Sequence, residues 1–169
     1  MNFAKKYSDE IIIKLTNNPA VDRDATLPFN AASLQKRFNA QIERLVERDA
    51  TEDTRPILRK LLLDDRQIYA DDETALFVKI FGDEAGLFGF GDAGGNFKIL
   101  SLCFTVTEDD DARTALDFVF NAFVKVFLPN VPINEFIAVM SSNNFLTAAG
   151  TTFELVEIGE LNMLNVFVD

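Results

Sequence analysis

Two runs of carboxylates and one glycine-rich stretch are where residue type and spacing could support chemistry: Asp71-Asp72-Glu73, Glu108 to Asp111, and GDEAGLFGFGDAGG from Gly82 to Gly95. Clustered carboxylates can hold a divalent cation through oxygen, or divide acid and base roles across a cleft when their environments differ. Neither run has the D-x-[DN]-x-[DN]-G spacing and following Glu of a calcium loop. Glu108 to Asp111 stands where a helix should begin, and capping plus the positive end of the helix dipole accounts for each acidic residue there. Asp71 to Glu73 reads as a turn between two strands. The glycine-rich stretch lacks G-x-x-x-x-G-K-[ST] and any G-x-G-x-x-G opening a helix, and Asp83, Glu84 and Asp92 would repel a phosphate. It reads as two turns around one short strand near Leu87 to Phe90.

The absent residue types exclude more. The chain has no histidine and one cysteine. A Ser-His or Cys-His nucleophile pair, an imidazole base, a His-ligated metal and a thiolate zinc site are all unavailable. Cys103 falls mid-strand in Leu102-Cys103-Phe104 with no Lys or Arg beside it to stabilise a thiolate, so it reads as a buried, inert thiol. No cofactor is implied. A single cysteine forms no internal disulfide, which points to a reducing, cytoplasmic setting.

Aromatic usage is lopsided, with 17 Phe, 2 Tyr and no Trp. Phe lacks the polar tip that makes Tyr and Trp interface anchors, so most of these rings belong to the core. A surplus could also line a pocket for an apolar ligand. Phe88 and Phe90 are one residue apart and share a face if their segment is a strand, where they close the core or form a contact patch. With Asp83, Glu84 and Asp92 they form the candidate partner-binding set.

The elements that position these residues follow from periodicity. Residues 3–15 read as a helix, although Ile11, Ile12 and Ile13 are β-branched. Residues 17–30, holding Pro19 and Pro28, read as a loop. Leu34, Phe38, Ile42 and Leu45 make one apolar stripe between charged residues, the mark of an amphipathic helix capped by Asn30 or Ser33. A shorter helix starts at Asp53 or Thr54, with Pro56 in its first turn and Ile57, Leu58, Leu61 and Leu62 as its stripe. Then the period changes. Residues 75–81 read as a strand, and residues 97–106 alternate, with Leu100, Leu102, Phe104 and Val106 on one face and Ile99, Ser101, Cys103 and Thr105 on the other, one of the two faces going to the core. A helix over Leu116, Val119, Phe120, Phe123 and Phe127 follows, stopped by Pro129. Another, shorter helix runs through Phe136, Ile137 and Met140. Residues 152–158 and 161–168 form a hairpin around Gly159-Glu160, with Gly first as a type II′ turn requires.

Helices grouped rather than alternating with strands predict an α+β fold: an antiparallel sheet of about five to six strands, helices mainly on one face, and N-terminal helices preceding the sheet. At 169 residues and 48% hydrophobic, the chain suits one domain over 1–169. The closing strand, Leu161 to Val168, is apolar on both faces and should lie inside the sheet or be covered; as an edge it would pair with a second copy into a homodimer.

Charge divides unevenly. Residues 1–66 hold 12 Lys and Arg against 11 Asp and Glu, whereas residues 67–169 hold 4 against 16, so the second part carries −12 of a net −11. That acidity disfavours nucleic acid. No apolar run approaches the roughly 20 residues of a membrane span, and the Ile11 to Ile13 run is too short for a signal-peptide core, although a leader removed earlier would leave no trace. The leading expectation is a non-catalytic acidic interaction module, of the adaptor, secretion-chaperone or toxin-neutralising kind, that binds a basic protein. The alternatives are a carrier of an apolar small molecule in a Phe-lined cavity and a carboxylate- or metal-dependent enzyme.

Overall fold

The computed structural model describes residues 3–19, 25–49, 51–64, 68–70, 74–92 and 94–168. Three helices come first: α1 (Phe3–Thr16), α2 (Ala31–Asp49) and the short α3 (Arg55–Arg59). Four strands follow, β1 (Ile68–Ala70), β2 (Thr74–Phe81), β3 (Ala85–Asp92) and β4 (Phe97–Thr105). Then come α4 (Asp110–Phe127), α5 (Ile133–Asn143), β5 (Phe145–Ala148), β6 (Thr151–Ile158) and β7 (Leu161–Val168). The seven strands form one antiparallel sheet in the order β1-β2-β3-β4-β7-β6-β5. This is an α+β fold with N-terminal helices ahead of the sheet. The proposed turn at Asp71 to Glu73 lies outside the described residues.

Local chemistry explains the main elements. Asn30 Oδ1 accepts from the Ser33 backbone N–H, and Ser33 Oγ accepts from the Asn30 N–H, a reciprocal pair that starts α2. The stripe Leu34, Phe38, Ile42 and Leu45 is buried along its length. Asp109 caps α4 by accepting from the N–H groups of Asp111 and Ala112. Gly159 has φ +61° in the two-residue turn joining Ile158 to Leu161, as the hairpin reading required. β7 lies between β4 and β6, so both its backbone edges are paired within the sheet, and its two apolar faces go to two separate cores.

Both faces of the sheet are packed, which corrects the single-core-face reading of residues 97–106. One face carries Phe77, Leu87, Leu100, Leu102, Phe153, Leu164 and Val166 beneath α2, α3, α4 and α5. The other carries Phe88, Ile99, Cys103, Leu161, Met163 and Phe167 beneath α1 alone. Val106 also departs from expectation: β4 ends at Thr105, and Val106 is 84% exposed.

The glycine-rich stretch holds a full eight-residue strand rather than a short one, because Gly86 and Gly89 are strand residues that let side chains pass close by and Gly91 one that lets the Asn96 backbone approach. A Cβ at Gly89 would stand 2.7 Å from Phe97 Cε1 and 2.8 Å from Leu100 Cδ2. β5 was not visible in the sequence. Of the 17 Phe, 12 are buried. Phe29, Phe127, Phe153, Phe136, Phe120 and Phe104 run in a chain of edge-to-face pairs with centroids 5.1 to 6.3 Å apart.

Candidate functional site: an apolar groove with an acidic rim

A groove of about 390 Å³ opens where α3, the first half of α4 and the β2–β3 turn converge. Its apolar wall comes from Ile57 and Leu61 at α3, Ile80 and Phe81 at the end of β2, and Leu116 and Val119 on α4. Each reaches the groove for a local reason. Pro56 opens α3 where no intrahelical N–H is needed, which turns Leu58 into the core and leaves Ile57 half-buried at the edge. Leu116 and Val119 are one turn apart on α4, so one packs inward and the other stays partly open.

Asp83, Glu84 and Asp111 also line the groove, against one cation, Lys60. Glu84 is fixed in place. Its carboxylate Oε2 accepts from Thr105 Oγ1 at 2.8 Å, and its backbone carbonyl accepts from the Thr105 N–H at 2.9 Å. These bonds tie the β2–β3 turn to the end of β4. The chain then passes directly into Glu108, Asp109, Asp110 and Asp111, so two acidic segments far apart in sequence meet at one end of the sheet. Arg113 turns back to donate to the Thr107 carbonyl at 3.2 Å. Such a surface offers an apolar slot about as large as small-ligand sites, under a negative potential that attracts cationic partners.

The five residues singled out in the sequence do not form one cluster. Asp83 and Glu84 are at the groove. Phe88 is fully buried under α1, and Phe90 is half-buried on that same face. Asp92 ends β3 at its far side, roughly 25 Å away by strand rise, and accepts from the Asn96 N–H in the β3–β4 turn. Three contributors were not anticipated. Asp111 was accounted for as part of a helix start, and Ile57 and Leu61 as a core stripe; only the packing of α3 beside α4 makes them a wall.

Cys103 is completely buried beneath α1, where loss of solvent pushes its thiol up to about 12 against a smaller opposing effect from Ser101. Among the described residues, no helix is long and apolar enough to cross a membrane, and no group of three or more Asp, Glu or Cys is placed to hold a metal ion. Compared with protein-family models, with curated proteins and with solved structures, the chain matches none.

Proposed function

We propose that this protein is a non-catalytic interaction module whose groove takes a basic, amphipathic segment of a partner protein in a cytoplasmic setting. The carrying observation is the pairing, in one depression, of an apolar floor with Asp83, Glu84 and Asp111 on its rim. Apolar side chains of the partner would fill the slot and its Lys or Arg side chains would meet the carboxylates, with the charge speeding encounter and rejecting acidic competitors. The net −12 of residues 67–169 extends that field beyond the groove.

A titration of ¹⁵N-labelled protein with a synthetic Leu/Lys amphipathic peptide tests this. Expected are shifts confined to the amides of Ile57, Leu61, Ala85, Ala112 and Leu116, weakening as salt rises. Shifts scattered over the surface, or none, would overturn the reading. The groove also has the size and apolar floor for a neutral small molecule, the carrier reading. Tight, salt-insensitive binding of such a molecule at the same amides, with no response to the peptide, would favour it.

A further inference from the structure

The sheet has two edge strands, β1 and β5, and the sequence guards them differently. β1 spans only Ile68–Ala70, with Asp64 and Asp65 before it in the chain and Asp71, Asp72 and Glu73 after it. Charges at an edge discourage pairing with another chain. β5 has no such guard. Residues 126–153, which include all of α5 and β5, hold a single charged side chain, Glu135, in a chain that is 25% charged. β5 itself, Phe145–Ala148, has no charge and no proline, and its register with β6 is unbroken.

The outer side of β5 is open for pairing. The Asn144 carbonyl accepts from the Leu155 N–H at 2.9 Å, which sets the phase of the ladder: Leu146 and Ala148 bond toward β6, and the N–H and C=O groups of Phe145 and Thr147 point away from it. Both of these residues are exposed, Phe145 by 51%. α5 packs against β5 and presents Ile137, 44% exposed, with Ala138 and Ser141 to solvent. Edge and helix together make an uncharged surface with apolar points at Ile137 and Phe145.

Its charge and symmetry select the occupant. A basic partner would find no carboxylates to meet along β5. Two copies of this chain, each at net −11, repel wherever their acidic surfaces face one another, and a charge-free surface lets them touch. The edge is also complementary to itself. Set antiparallel about a two-fold axis at Leu146, Phe145 of one copy lies opposite Thr147 of the other, and each such pair exchanges both backbone bonds, about four in all. An aromatic ring then meets a β-branched side chain on either side of the axis, a favourable cross-strand pair.

We infer that β5 pairs with β5 of a second copy, antiparallel and centred on Leu146, joining two seven-stranded sheets into one, with the exposed side of α5 widening the interface. So short a strand joint makes the dimer weak, with a dissociation constant of roughly 1–100 µM. The surface is separate from the groove at α3 and α4, and salt acts on the two oppositely: screening should strengthen self-association and weaken capture of a basic segment.

Sedimentation velocity of the full chain up to about 1 mM, at low and high salt, tests this beside amide hydrogen exchange at the same concentrations. Expected is a reversible monomer–dimer equilibrium, with the Phe145 and Thr147 amides becoming protected as concentration rises. Thr147→Pro removes an N–H that faces away from β6, and Phe145→Lys puts a charge on the edge opposite the chain's own Glu154. Each should weaken the dimer by about tenfold or more, with circular dichroism unchanged. A monomer at every concentration, a dimer that both folded variants keep, or protection that spares Phe145 and Thr147 in the unaltered chain would overturn the inference. So would a monomer in which those two amides respond only to an added extended peptide, which would give the edge to a foreign strand.

Discussion

Thr105 Oγ1 donates to Glu84 Oε2 at 2.8 Å, joining the last residue of β4 to the turn between β2 and β3. The bond holds a carboxylate at the rim of the groove instead of leaving it free in solvent. It also makes the acidic end of the sheet a fixed surface, so that the binding proposed above would cost less ordering entropy.

Replacing Thr105 by Val keeps the shape and removes the donor. A hydrogen bond to a charged acceptor contributes about 1.5–3 kcal/mol when well made, and Glu84 is partly open to water, so a loss of about 1 kcal/mol is expected. Denaturant unfolding of the two proteins measures it; an unchanged midpoint would mean the bond does not constrain the turn.

Gly89→Ala should be destabilising by about 1–3 kcal/mol, because the new methyl must displace Phe97 and Leu100, both buried and held by neighbours. Phe97 sits edge-on to Phe77 with centroids 6.0 Å apart and has little room to retreat. Phe97→Leu in the Gly89→Ala background should recover part of the loss. A double-mutant cycle on melting temperatures would show this as a coupling, and strict additivity would argue that the two sites do not touch.

How much of this was legible follows from what each signal depends on. The α2 stripe, the Asp109 cap and the Gly159 turn rest on residues close in sequence, and all three stand where periodicity and turn chemistry put them. Gly86, Gly89 and Gly91 misled because glycine marks both turns and close approach, and only the partner distinguishes them: the Phe88 ring at Gly86, Phe97 and Leu100 at Gly89, the Asn96 backbone at Gly91. α1 was legible as a helix, but nothing local says that it covers the face opposite the other four. The groove was half legible. Asp83 and Glu84 stood out by charge, whereas Ile57, Leu61 and Leu116 become a wall only through the packing of α3, α4 and the turn. Asn165 is an amide inside the apolar run LNMLNVFV, and its partner Glu154 is visible only in the register of β6 against β7.

Cys103 should resist thiol reagents in the native state at pH 8, since its thiol is buried and pushed up to about 12. Labelling should follow unfolding, becoming fast once denaturant opens the chain. Because the folded-state value is raised, this group's contribution to stability is whole below the ordinary thiol range and is lost as pH rises from there toward about 12. Rapid labelling of native protein would show that α1 leaves the sheet readily.

The most direct test of the central claim compares wild type with an Asp83→Lys, Asp111→Lys double variant, both changes lying on exposed rim positions. Each protein is immobilised and challenged with lysate from its own source at low and high salt, with circular dichroism confirming that the variant is folded. The account predicts that wild type retains a basic protein at low salt, releases it at high salt, and that the variant retains none of it. A partner held equally by both proteins and at both salt concentrations would contradict the acidic groove as the binding surface.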